Sequence, residues 1–275
     1  MRALILACYT ALLSVLTPAA SADGVEVDLE LILMVDVSRS MSGNELEIQR
    51  RGYAEALQSE AVYEALRSGL LQRVAMAYVE WAGAGSQRIV VDWRLLETRE
   101  DLAAFGNTLT AEFNPSLRRT SISSALLYAA DSLEDNSYIG LRRVIDVSGD
   151  GPNNQGVPVE GARDAVLAQG ITINGLPLMT KEGLGSAWNI DALDLYYQDC
   201  VVGGPGAFVI PVYDWAGFAD AVRRKLVLEM VFIPDNLRGL PLIPAQYRPG
   251  GAEREKFDCL IGEKIWDRRA RDWMP

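Results

Sequence analysis

"LILMVDVSRSMSG", Leu31 to Gly43, decides the fold. With Leu29 and Glu30 ahead of it, the run "LELILMVDV" (29–37) has the length and apolarity of a strand buried on both faces. An acid and three serines then follow between Asp36 and Ser42. A soluble fold rarely needs an Asp and a row of Ser at the end of its most apolar strand. Those oxygens sit where a sheet edge would present them together.

Working outward, apolar and amphipathic runs alternate. Residues 42–69 read as one long helix, with Ser42 and Glu45 forming a capping box and Gly69 as its stop. Leu46, Tyr53, Leu57 and Leu66 mark its inward stripe. "RVAMAYVEWAG" (73–83) and "SQRIVVDWRLL" (86–96) read as strands joined by a short Gly-rich turn, an antiparallel hairpin. Helices are expected at 98–109, 120–134, 159–170 and 214–231, the last capped by Asp214. Further strands are expected at 141–151, 171–178 and 206–212. The alternation predicts an α/β fold: a mostly parallel six-stranded sheet with one antiparallel edge strand and helices on both faces, a three-layer Rossmann-like sandwich.

Residues 1–22 have the three parts of an export signal: Arg2, the apolar run "ALILACYTALLSVL", and the small-residue site Ala20-Ser21-Ala22. No later segment is long and apolar enough to span a bilayer, so no stable membrane insertion is expected after cleavage. The mature chain is then periplasmic or secreted. Residues 233–275, rich in Pro and charge, read as a C-terminal extension that wraps the domain.

The charge balance of 26 Lys and Arg against 37 Asp and Glu gives −11, which repels phosphate backbones and argues against nucleic-acid binding. The chain has no His, which removes Ser-His-Asp and Cys-His catalysis and every His metal site. Once Cys8 leaves with the signal, Cys200 and Cys259 remain, an even pair in an oxidising compartment. A disulfide between them is expected; the alternative is two buried free thiols.

Three segments converge on one predicted sheet edge. Asp36, Ser38 and Ser40 follow the first strand, Thr120 opens a helix, and Asp150 ends the strand at 141–151 in the turn "SGDG". Together they supply two carboxylates and three hydroxyls, an oxygen-only set suited to a hard divalent cation such as Mg²⁺, with Mn²⁺ or Ca²⁺ as alternatives. Each residue also has an ordinary reading: Thr120 as a helix cap, Asp150-Gly151 as a turn, Ser40 or Ser42 as a cap.

Asp36-x-Ser38-x-Ser40, Thr120 and Asp150-Gly151 resemble the metal-ion-dependent adhesion site of von Willebrand factor type A domains, over about residues 27–232. "SRSMS", "GDGPNN" and "GGPGAFV" further resemble a bacterial secreted family of such proteins known as domain of unknown function 1194. The resemblance implies that both Ser ligate the metal directly. It also implies that Thr120 and the two Asp act directly or through water, and that an Asp or Glu of a protein partner fills the last position. One departure stands out: the Thr usual before the final Asp-Gly is Gly149 here.

The leading function is therefore an exported, non-enzymatic protein-interaction module. A phosphatase-like enzyme using Asp36 would want an acid two residues on, where Ser38 stands. A scaffold with a degenerate site is the third reading. Trp188, Tyr196 and Tyr197 are either a recognition surface or packing, and packing is favoured.

Overall fold

The computed structural model describes residues 24–109, 117–180, 190–231 and 255–272. The expected signal segment, Trp188 and residues 233–254 of the expected extension lie outside them.

Eight residues of the opening stretch form β2 (Leu29–Asp36), which follows a short β1 (Val25–Val27). Every residue of β2 is buried. The strand period of two sends Leu31, Leu33 and Val35 into one core and Ile32 and Met34 into another, on opposite faces of the sheet. That is why the run carries no polar alternation.

β2 pairs in parallel with β3 (Val74–Trp81) on one side and with β6 (Arg143–Gly149) on the other. β3 turns back into β4 (Gln87–Leu96), the expected antiparallel edge. β6 continues in parallel to β7 (Thr172–Pro177). The main sheet thus has five strands in the order β4-β3-β2-β6-β7, and β1 forms a separate two-stranded parallel sheet with β5 (Tyr138–Gly140).

The expected sixth strand, 206–212, is the main correction. It runs beside β7 but makes only isolated bridges, Gly175 with Val209 and Leu178 with Val212. Backbone bonds run from Gly175 to Phe208, Ile210 to Gly175, Val212 to Pro177 and Met179 to Val212. The register would next ask residue 177 for a donor, and Pro177 has no N–H, so the ladder breaks there.

The long helix expected at 42–69 is two helices, α1 (Gly43–Leu57) and α2 (Glu60–Arg67). The Ser59 hydroxyl accepts from Val62 N and starts a second helix, an N-cap hidden inside a continuous amphipathic pattern. The predicted capping box at Ser42 and Glu45 forms, and Leu46, Tyr53, Leu57 and Leu66 are buried. α3 (Arg99–Thr108), α4 (Ile122–Glu134), α5 (Val159–Leu167) and α7 (Phe218–Met230) match the other expected helices. Asp214 does not cap α7; it accepts from Gly217 N in the preceding turn, and the helix starts one residue after Gly217.

α1, α2 and α7 cover one face of the sheet, and α4 and α5 cover the other. After β7 the chain forms a short helix α6 (Leu193–Tyr196) that continues as a π-helical turn, Tyr197–Val201. Cys200 in that turn is disulfide-bonded to Cys259, Cα to Cα 5.4 Å, just ahead of α8 (Ile261–Asp272). The expected pairing is present.

Candidate metal centre

The chain runs from β2 outward through β3 to β4 and then returns to the other side of β2 as β6. The strand order reverses between β2 and β6, where open α/β sheets place their ligands, beyond the C-terminal strand ends. Val35 pairs with Ser148 there, so Asp36 and Asp150 leave the sheet side by side.

Each loop is pinned by its own residues. Ser38 N donates to Asp36 Oδ1 at 2.7 Å, a tight Asp turn. Gln49 Nε2 of α1 holds the Asp36 carbonyl at 3.1 Å. Glu45 accepts from Ser42 N at 2.6 Å with one oxygen and from Trp215 Nε1 at 3.1 Å with the other, which fixes the start of α1 behind the loop.

Two of the three hydroxyls form a chain that ends on Asp150. Ser38 Oγ lies 2.9 Å from Ser40 Oγ, and Ser40 Oγ donates to Asp150 Oδ1 at 2.8 Å, joining residues 110 apart in sequence. Thr120 enters through its backbone. Its N donates to Asn154 Oδ1 at 3.0 Å and its carbonyl accepts from Asn154 N at 2.8 Å, so the loop after Asp150 clasps it. Thr120 is not the helix cap: α4 begins at Ile122, and Ser121 caps it by accepting from Ser124 N. With capping assigned to Ser121, the ordinary reading of Thr120 is removed.

Burial makes the electrostatics sharp. Asp36 is fully buried, and burial followed by the neighbouring Asp150 holds its carboxyl well above the usual carboxylate range. Burial also pushes Asp150 up to about 6, with Glu45 adding to it against the Ser40 hydrogen bond. Among the described residues Asp36 Oδ2 has no hydrogen-bond partner. Two buried carboxylates this near repel, and a cation among them would reverse that penalty.

The donor set fits a small hard ion. Neighbouring oxygens around an octahedral ion at ~2.1 Å stand ~3.0 Å apart, close to the 2.9 and 2.8 Å separations along Ser38, Ser40 and Asp150. No group of three or more His, Cys, Asp or Glu suited to a metal occurs among the described residues. The set here is instead two carboxylates with hydroxyls.

The departure at Gly149 has a structural cause. A Cβ there would stand 2.9 Å from the Tyr197 hydroxyl, 3.0 Å from Asp36 Oδ2 and 3.3 Å from the Trp81 ring. Tyr197 thus occupies the space a Thr side chain would need. Tyr196 and Tyr197 are both fully buried, so packing is the correct reading, yet their hydroxyls reach the site loops. Tyr196 Oη accepts from Asn153 N at 3.1 Å. Asn153 in turn accepts from Ser123 N at 3.0 Å through Oδ1. Asn153, Asn154 and Tyr197 were missed as site residues; the motif "GDGPNN" contained a signal for the first two, and nothing local contained one for Tyr197.

A family model described as "Protein of unknown function (DUF1194)" matches residues 26–233. A comparison with the curated proteins finds no match. Among solved structures the chain is similar to proximal thread matrix protein 1 from the mussel byssus, with a TM-score of 0.52, 13% identity, and coverage of 75% of this chain and 49% of that one. Another structure of that mussel protein, described as having a zinc-occupied MIDAS motif, matches with a TM-score of 0.50, 14% identity, and coverage of 75% and 48%. The pilus adhesin SpaC from Lactobacillus rhamnosus GG matches with a TM-score of 0.52, 14% identity, and coverage of 74% and 30%. The chain spans about half of the mussel protein and under a third of the adhesin. At such identities the likeness establishes the fold alone, a sheet with helices on both faces.

Proposed function

We propose a metal-dependent binding role for this chain, which belongs to the DUF1194 family of proteins of unknown function. Asp36, Ser38, Ser40, Thr120 and Asp150 hold one divalent hard cation, Mg²⁺ in the first instance with Mn²⁺ or Ca²⁺ able to substitute. An Asp or Glu of a protein partner completes the coordination. The observation that carries this reading is the chain of oxygens from Ser38 to Ser40 at 2.9 Å and from Ser40 to Asp150 at 2.8 Å, together with the buried Asp36 Oδ2 that has no hydrogen-bond partner among the described residues.

The ion supplies an electrophilic position for a carboxylate, and the chain supplies the rest. Asp36 sets the loop through Ser38 N and contributes negative charge. Ser38 and Ser40 are neutral ligands, which leaves the ion charge for the partner to satisfy. Asp150 orients Ser40, and Asn154 fastens the Thr120 backbone to the loop that follows Asp150. No nucleophile or general base takes part. The Cys200–Cys259 disulfide supports an oxidising compartment, consistent with an exported protein.

Thermal unfolding in chelator and in rising Mg²⁺ or Mn²⁺, beside Asp36→Ala, tests this. Binding to the folded state alone stabilises by about 2.7 kcal/mol at a hundredfold excess over Kd. A rise in wild type and none in the variant is expected. An equal response in both would refute the assignment.

A further inference from the structure

The family match ends at residue 233, yet α8, beginning at Ile261, packs against two of the three segments of the candidate centre. On one side Asn153 Nδ2 donates to Glu263 Oε1 at 2.7 Å. The backbones there are so close that a Cβ on Gly262 would stand 2.0 Å from the Asn153 carbonyl oxygen. On the other side the Arg119 guanidinium lies 3.1 Å from the centre of the Trp266 ring, immediately before Thr120. Arg119 adopts φ +73°, a left-handed conformation unusual for its type.

The base of α8 is fastened to the segment that carries Tyr196 and Tyr197. Cys259 is bonded to Cys200, Phe257 N donates to Asp199 Oδ2 at 2.8 Å, and the Phe257 ring meets Tyr196 edge-on at 5.9 Å. Asn153 is held by Tyr196 Oη at its backbone and, at its side chain, by Ser123 N, the Val157 carbonyl and Glu263, of which Glu263 makes the shortest contact at 2.7 Å. Its neighbour Asn154 is the residue that clasps Thr120.

We propose that α8 is a disulfide-fastened clamp on the candidate centre, and that Glu263 is a positioning residue that fixes Asn153 and, through it, the loop joining Asp150 to Thr120. The clamp rests on the metal-centre reading for its purpose, though its mechanical part stands without an ion. α8 does not touch the ion; it removes the freedom of two of the three segments that would surround it. Removing a group hydrogen-bonded to a metal's ligand typically changes affinity by about 10–100-fold, and Glu263, which acts on such a loop through Asn153, is placed at the lower end of that range.

The test compares wild type, Glu263→Ala and Glu263→Gln in the full-length mature protein. Amide exchange in residues 119–124 and 150–156 is read in chelator, with exchange elsewhere as the control for folding, and Mn²⁺ affinity is read by titration. Glu263→Ala should speed exchange in both segments by about tenfold or more and weaken Mn²⁺ by at least about tenfold. Glu263→Gln keeps an acceptor for Asn153 and should restore both to within about threefold of wild type. Unchanged exchange of both segments in Glu263→Ala would overturn the clamp. So would a Gln variant that behaves like Ala. If wild type takes up no Mn²⁺, the metal-centre reading fails, and the exchange in chelator still decides the clamp.

Discussion

Replacing Gly149 by Ala tests how tightly the ground beneath the candidate centre is packed. The new Cβ would meet the Tyr197 hydroxyl at 2.9 Å, Asp36 Oδ2 at 3.0 Å and the Trp81 ring at 3.3 Å. All three neighbours are fully buried, so none can swing into solvent. Overpacking of this kind destabilises by about 1–3 kcal/mol, and three rigid neighbours place Gly149→Ala in the upper half of that range. Tyr197→Phe removes the nearest atom. That hydroxyl has no hydrogen-bond partner among the described residues, so its loss alone should be neutral or stabilising by up to about 1 kcal/mol. In the Tyr197→Phe background, Gly149→Ala should then cost at least about 1 kcal/mol less than in wild type, a coupling expected of residues in contact. Urea unfolding in chelator with linear extrapolation reads all four proteins. A Gly149→Ala variant within about 0.5 kcal/mol of wild type, or strict additivity in the double variant, would refute the reasoning.

Other consequences are equally checkable. Lys225 is buried between Asp146 Oδ1 at 3.0 Å and Glu229 Oε1 at 2.7 Å, so Lys225→Met leaves two buried carboxylates uncompensated and should lose about 3–5 kcal/mol in denaturant melts. Burial pushes the Asp146 carboxyl up to about 7 although Lys225 opposes it. The folded state therefore binds this proton more tightly than the unfolded one. Its contribution to stability is full below about pH 4 and is lost as pH rises through about 7, with a slope of at most ~1.4 kcal/mol per unit. Asp146→Asn should remove that part of the slope in melts taken from pH 4 to 8. The Cys200–Cys259 bond spans a sequence separation of 59, so replacing both by Ser should cost about 4 kcal/mol if chain entropy dominates. Thermal melts of the double variant, with α8 followed by amide exchange, would show whether the loss starts there.

How much could be read in advance depended on how local the cause was. β2 was legible because burial on both faces erases polar alternation, and the capping box at Ser42 and Glu45 is written within four residues. Asp36, Ser38, Ser40 and Asp150 were legible because strand ends bring them to one edge, and hydrogen bonds join Ser38, Ser40 and Asp150 there. The break at Ser59 was not, because Ser also sits comfortably inside amphipathic helices and the apolar pattern runs through it. The sixth strand failed on Pro177, which lies in the partner strand rather than in the segment itself. The packing of Tyr197 beneath the centre and the role of Glu263 were not legible for the same reason. Their importance lies in a gap at Gly149 and in the Asn153 side chain, both distant in sequence.

The central claim is that Asp36, Ser38, Ser40, Thr120 and Asp150 hold an ion. Direct titration of Mn²⁺ into the purified protein, with the free ion followed by its electron paramagnetic resonance, tests this. A single saturable site per chain is expected in wild type, lost in Asp36→Asn and in Asp150→Asn. A wild type that leaves all the Mn²⁺ free, or variants that bind it as wild type does, would contradict it.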